Sequence, residues 1–218
     1  VTHEAVPPGT RALVMTVSDG VTAGVRADDA GRELERWLAG VGFSVDRTMV
    51  PDEQRSIEDG LRGGAAAHVL VVTTGGTGLT PRDVTPQATL AVIDYEVPGL
   101  AEAMRALGRA KTPMADLSRG VVGVLHRTLI VNVPGSPRAA LESIEALRPT
   151  LRHALETLAG PFDHGTAGAG GARPDLPRPS VEPGATAGSE PAIDMGEDWV
   201  PLPDENDEWR DLPEPRRE

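Results

Sequence analysis

The sequence predicts an α/β domain, a mostly parallel but mixed sheet with helices on both faces, followed by a disordered tail. Three observations predict it. Short apolar runs alternate with amphipathic helical patterns over the first 160 residues, which is how successive strand–helix–strand units read. Two late runs, 121–125 and 128–133, are separated by only two residues, a spacing that suits a hairpin and adds an antiparallel element. Beyond residue 160 the periodicity stops. Residues 161–218 hold 10 of the 20 prolines, with 14 acidic and 5 basic residues. Such a segment buries too little apolar surface to offset its ordering entropy.

Each element has a local reason. Residues 11–18 (RALVMTVS) read as a buried strand. Asp28 or Asp29 caps a helix whose apolar positions are Ala30, Leu34, Trp37, Leu38 and Val41, with Gly40 and Gly42 as its stop. Residues 43–50 form a second strand. Ile57, Leu61 and Ala65 lie one turn apart on a second helix, which should end at Gly63-Gly64 or shortly after. Residues 68–74 are the third strand, and helices follow at 86–94 and 98–107. In the hairpin, Arg127 or its neighbour must accept a turn geometry usually given to Gly or Asn. A long helix runs over 137–158, and Pro149 should kink or restart it. The organisation is therefore a flexible N-terminus (1–10), a folded domain (11–160) and an acidic Pro/Gly-rich tail (161–218). In that tail Trp199 and Trp209 are read either as incidental to a solubilising segment, or as a short docking segment for a partner or one that folds back on its own domain.

Composition narrows the function classes. The 218 residues contain no cysteine, so disulfides and thiolate chemistry are excluded. No apolar run approaches the roughly 18 residues of a membrane span, and no secretory signal is visible, so a cytoplasmic location is expected. The net charge of −12 argues against nucleic acid as a partner. Most of that charge lies in the tail, so the domain itself is nearly neutral and can accept anions.

The most informative segment is residues 71–86, VVTTGGTGLTPRDVTP. An apolar strand feeds into Gly75, Gly76, Thr77 and Gly78. Glycines at a strand's C-terminal end let bare N–H groups approach an anion. Three other segments should end on the same rim: Ser18-Asp19-Gly20, Pro51-Asp52-Glu53 and residues 132–137 (NVPGSP). Ligands of such sheets bind beyond the carboxyl ends of the strands. Asp52 and Asp83 are candidates to share Mg²⁺ on a phosphate chain; either is equally read as a helix N-cap. Arg82, Arg119 and Arg138 are candidate phosphate ligands, as are the hydroxyls of Ser18, Thr77, Ser118 and Ser136. The five histidines have no ligand spacing, and no Ser/His/Asp set is evident. A residue set of this kind suits transfer between bound phosphates, which needs positioning and charge stabilisation but no protein nucleophile.

Six segments in order, TVSDG (16–20), VPDE (50–53), TTGGTGLTPRDVTPQAT (73–89), EVPGLAEAMR (96–105), TPMADLSRGVVG (112–123) and LIVNVPGSP (129–137), resemble the molybdenum-cofactor biosynthesis family that contains the MogA and MoaB proteins and the gephyrin G domain. The resemblance covers about residues 10–158. It implies a three-layer α/β/α fold, the molybdenum-cofactor-biosynthesis fold, and a homotrimer. It implies molybdopterin and MgATP as ligands, AMP transfer to the molybdopterin phosphate with release of pyrophosphate, and a molybdenum-insertion protein as partner. By the same resemblance Asp52 and Asp83 are the essential acidic residues, and Gly75, Gly76, Thr77 and Gly78 bind phosphate with Ser18 and Asp19. Ser118 and Arg119, with Pro134, Gly135 and Ser136, line the molybdopterin site. Two departures stand out: Asp28-Asp29-Ala30-Gly31 lacks a serine usual before the glycine, and Arg138 stands where lysine is common. A non-catalytic molybdopterin-binding or scaffold protein is the alternative. A hydrolase of the competence-damage type is disfavoured by Thr77 and the single Asp83.

Overall fold

The computed structural model describes residues 6, 7 and 9–160; the tail, with Trp199 and Trp209, lies outside the described residues. In chain order the elements are β1 (Arg11–Val17), α1 (Asp19–Thr22), α2 (Asp29–Val41), β2 (Ser44–Val50), α3 (Gln54–Ala67), β3 (Leu70–Thr74), α4 (Thr85–Leu90), β4 (Tyr95–Glu96), α5 (Pro98–Arg109), a 3₁₀ turn (Pro113–Leu117), β5 (Val122–Leu125), β6 (Thr128–Val133) and α6 (Pro137–Ala159). The six strands form one sheet in the order β2-β1-β3-β6-β5-β4. β2, β1, β3 and β6 are parallel, while β5 is antiparallel to β6 and to β4. The expected mixed sheet is therefore present, with its antiparallel part at one edge.

Strand alternation builds three layers. Ala12 and Val14 of β1 point to one face, with Leu34 and Leu38 of α2 and Ile144, Leu147 and Leu151 of α6. Leu13, Met15 and Val17 point to the other, with Ile57 and Leu61 of α3 and Ala88 of α4. Both faces of the central strands are buried, which is why β1, β3 and β6 read as continuous apolar runs. On the outer side of α2, Trp37 Nε1 donates to Glu145 of α6 at 2.7 Å, and the Arg148 guanidinium lies 4.8 Å from the indole centroid.

Helix ends follow local chemistry in most places. Asp28 caps α2, and Gly42 closes it in the left-handed conformation, while Gly40 lies inside the helix. α3 runs through Gly63-Gly64 and ends shortly after, at Ala67. The reason is packing: a side chain on Gly64 would stand 2.7 Å from Leu13 Cδ2 and 3.1 Å from Val71 Cγ2. That glycine is a close-approach position for the sheet, and the approach overrides its low helix propensity. α6 likewise continues through Pro149, which lies on the exposed side while Ile144, Leu147, Leu151 and Leu155 keep one buried stripe.

The remaining differences are short elements. α1 and β4 carry too few residues to show a period. The helix expected over 86–94 ends at Leu90. In the hairpin His126 takes the positive φ, 59°, and its N–H donates to Asp94 Oδ2 at 2.7 Å. Within the N-terminal segment, Val6 is buried and donates to the Val41 carbonyl at 3.2 Å. Among the described residues no helix is long and apolar enough to cross a membrane.

One buried charge ties the first half of the sheet together. Asp28 Oδ1 accepts from Thr16 Oγ1 of β1 at 2.9 Å and from Gly31 N of α2 at 3.0 Å, and Oδ2 pairs with Arg47 of β2. Removing one member of such a buried set costs about 3 kcal/mol. Asp28→Ala is therefore expected to lower the unfolding free energy by about that amount in urea denaturation.

Candidate functional site

Parallel register brings the four predicted segments to one rim. Val17 is opposite Val50, Thr16 opposite Thr74, and Thr74 opposite Val133. The loops that begin at Ser18, Pro51, Gly75 and Pro134 therefore leave the sheet at one level.

The glycine loop sits at the middle of this rim. Gly75 and Gly76 have φ of +106° and +62°. A Cβ on Gly75 would lie 2.3 Å from the Val17 carbonyl oxygen, and one on Gly76 would lie 2.4 Å from Thr85 Oγ1. The loop is locked from both sides. Gly75 N donates to Val133 O at 3.2 Å, Thr85 Oγ1 to Gly75 O at 2.9 Å, and Thr85 N to Gly76 O at 3.1 Å. Gly135 packs against the Gly75 backbone, and Thr74 Oγ1 donates to Pro134 O at 2.8 Å.

On the β1–β2 side stands an acidic half-site. Asp19 N donates to Asp52 Oδ2 at 2.8 Å, and Asp52 N donates back to Asp19 Oδ1 at 2.9 Å. Arg82, the neighbour of Asp83, closes the chain by pairing with Asp19 Oδ2. Asp52 and the Asp83 loop are thus linked through Asp19. Neither aspartate is a helix N-cap, since Glu53 and Val84 occupy those positions. Asp83 instead accepts from Thr80 N at 2.8 Å and Thr80 Oγ1 at 2.6 Å. Partial burial pushes its carboxyl up, but the Thr80 hydroxyl and N–H, the Gly78 N–H and the Arg119 charge together hold it below the usual carboxylate range. Asp19 is also lowered, first by the Asp52 N–H and then by Arg82. Ser18 is buried and caps α1, its Oγ accepting from Val21 N at 3.3 Å and Arg26 Nη2 at 2.8 Å.

On the β6 side a cavity of about 270 Å³ opens between α5, the 3₁₀ turn and α6. Thr77, Gly78, Ser118 and Pro134 line it, so two of the five residues of the predicted second pocket and the end of the glycine loop share one wall. Gly135 and Ser136 are used otherwise: Gly135 packs under the glycine loop, and Ser136 caps α6 by accepting from Ala139 N at 3.3 Å. Arg119 grips the glycine loop, with its Nε donating to Gly78 O at 2.7 Å and Nη2 to Asp83 O. Arg138 pairs with Glu142 at 3.0 Å, as does Lys111, the only lysine in the chain.

Sequence reasoning did not single out Asn132. It is fully buried and lines the cavity. Its Nδ2 donates to Thr73 Oγ1 at 3.0 Å and Thr89 Oγ1 at 2.9 Å, and Oδ1 accepts from Val121 N at 3.2 Å. The available signal was an amide inside the apolar run LIVNV. Burial of such a group requires a full set of partners. Arg105 and Glu142, also on the cavity wall, carry no sequence signal of this kind.

Among the described residues no group of three or more His, Asp or Glu side chains forms a metal cage. A glycine-lined rim with separate carboxylates beside a cavity suits an anionic substrate that brings its own cation.

A family model described as a probable molybdopterin binding domain matches residues 13–153. The molybdopterin adenylyltransferase of Haemophilus influenzae is 43% identical over 141 residues, 62% of this chain and 71% of that protein. That of Escherichia coli K12 is 40% identical over 141 residues, 62% and 72% of the two chains. The solved structure of the molybdopterin biosynthesis enzyme MoaB from Thermus thermophilus is 49% identical and has a TM-score of 0.66. It covers 71% of this chain and 99% of its own.

The Asp19–Asp52 bracket has a pH signature. Asp19 has a lowered folded-state pKa. Its stabilisation is therefore complete above its unfolded value, about 3.9, and is lost as pH falls through the lower folded value. In urea titrations across acidic pH, the stability gap between wild type and Asp19→Asn is expected to narrow as pH drops below about 4.

Proposed function

The chain belongs to the molybdopterin-binding domain family, and on that premise we propose that it is a molybdopterin adenylyltransferase of molybdenum cofactor biosynthesis, transferring AMP from MgATP to the molybdopterin phosphate. The observation that carries this reading is one glycine loop shared by two half-sites. Asp19 and Asp52 bracket its β1–β2 side, Asp83 is held by Thr80 on the same loop, and the cavity lies on its β6 side.

In this reading the triphosphate lies on the backbone of Gly75, Gly76, Thr77 and Gly78, and molybdopterin enters the cavity beside Ser118 and Pro134. A phosphate oxygen of molybdopterin attacks the α-phosphorus of ATP. The new P–O bond forms as the bond to the β-phosphate oxygen breaks, and pyrophosphate leaves with the electron pair. The nucleophile belongs to the substrate, so the protein contributes alignment and charge. The donor set fits Mg²⁺, which takes one or two carboxylates together with phosphate oxygens and water. Asp52 and Asp83 would hold it, and its charge would offset that of the phosphates. Asp83 is suited to the task because its neighbours keep it ionised. A homotrimer in the cytoplasm, passing its product to a molybdenum-insertion protein, completes the reading, and light scattering on the purified protein tests the trimer.

Purified protein with molybdopterin, ATP and Mg²⁺ is expected to yield adenylylated molybdopterin and stoichiometric pyrophosphate. Molybdopterin binding without either product would sink the enzyme reading in favour of a carrier or scaffold. Asp83→Asn should lower kcat by about 100-fold, the scale of losing one preorganised electrostatic contact, because the neutral amide no longer offers the cation a charged oxygen. Molybdopterin affinity, read by fluorescence titration, should stay close to wild type.

A further inference from the structure

Arg119 occupies an unusual place between the two half-sites. Its backbone N donates to Thr77 O at 3.0 Å, its Nε to Gly78 O at 2.7 Å, and its Nη2 to Asp83 O. Three carbonyls of the loop that carries Asp83 thus rest on one residue. The residues on either side of it, Ser118 and Gly120, belong to the cavity wall. Gly120 is itself held: its carbonyl accepts from Arg105 Nη1 at 3.2 Å, and a Cβ there would stand 2.7 Å from Asn132 O. The segment 118–120 therefore cannot shift without the cavity wall or the Asp83 loop shifting too.

We propose that Arg119 is a positioning residue that couples occupancy of the cavity to the placement of the Thr77–Asp83 loop. A ligand that fixes Ser118 and Gly120 fixes the arginine, and the arginine presents Asp83 and the glycine backbone to the nucleotide. The planar fork meets the two carbonyls with two separate nitrogens in fixed geometry, which the single nitrogen of a lysine does not reproduce. This inference rests on the adenylyltransferase reading and assigns Arg119 a task other than direct contact with molybdopterin.

The test compares wild type, Arg119→Lys and Arg119→Ala, with thermal melts to establish that each is folded. In Arg119→Ala kcat is expected to fall about 100-fold, the scale of a misplacement of about 1 Å, while the Kd for molybdopterin changes by less than about threefold. Arg119→Lys should fail similarly although it keeps the charge. Added guanidinium should restore part of the Arg119→Ala rate, and methylammonium should not. Hydrogen exchange provides an independent readout: beyond the cavity-lining Thr77 and Gly78, molybdopterin should protect the amides of Leu79, Thr80, Arg82 and Asp83 in wild type and not in the variants. Parallel losses of kcat and molybdopterin affinity, or ligand protection that persists in Arg119→Ala, would overturn the coupling. If Arg119→Ala does not fold, Arg119→Lys decides by the same two measures. A wild type that binds molybdopterin but forms no product defeats the enzyme reading alone, and hydrogen exchange still decides the coupling. A wild type that binds no molybdopterin overturns both.

Discussion

At the end of β3 the chain passes so close to the Val17 carbonyl that Gly75 has no room for a side chain. The rest of the site depends on that crowding. Gly75 must adopt a positive φ there, which turns the loop across the ends of β1 and β6. The turn lets Thr85 lock both glycine carbonyls and lets Gly135 pack beneath. A glycine that looks selected for phosphate approach is thus first required by backbone packing. The two demands coincide, because a loop stripped of side chains to fit the sheet also presents bare N–H groups to an anion.

Charge is handled in the same economical way. Asp28 is buried, but three elements each supply it a donor. Asp19 and Asp52 cap each other's backbone, and Asp83 is held by Thr80. These bonds fix the carboxylates in orientation and keep Asp19 and Asp83 ionised. Arginines do the matching work on the positive side: Arg82 steadies Asp19 and Arg119 steadies the loop itself. Among the described residues every buried polar side-chain atom has a partner. A site in this condition is preorganised, which is what catalysis by alignment and charge requires.

Legibility varied with length and locality. α2 could be read because its cap, apolar stripe and terminal Gly42 all lie within 15 residues and agree. The reason for Gly64 within α3 could not, because that glycine answers to Leu13 and Val71 on the sheet rather than to its own helix. α1 and β4 were too short to show a period. In the site, Asp52, Asp83 and the glycine loop were visible as a pattern of residue types at strand ends. Asn132 was not, since its importance lies in contacts to Thr73, Thr89 and Val121 from three different segments.

The sequence by itself determined the alternation of elements, the rim on which the loops gather, the family resemblance and the acidic residues available to a phosphate. Those follow from periodicity and residue chemistry, which are local. Only the tertiary structure decided what each side chain does there. It joined Asp19 to Asp52 and brought Arg82 to Asp19. It also set the Arg119 fork on the carbonyls of Gly78 and Asp83. Hydrogen-bond partners 33 to 41 residues apart, as for Asp19–Asp52 and Arg119–Gly78, are chosen by strand register and loop packing, and no local pattern encodes that choice.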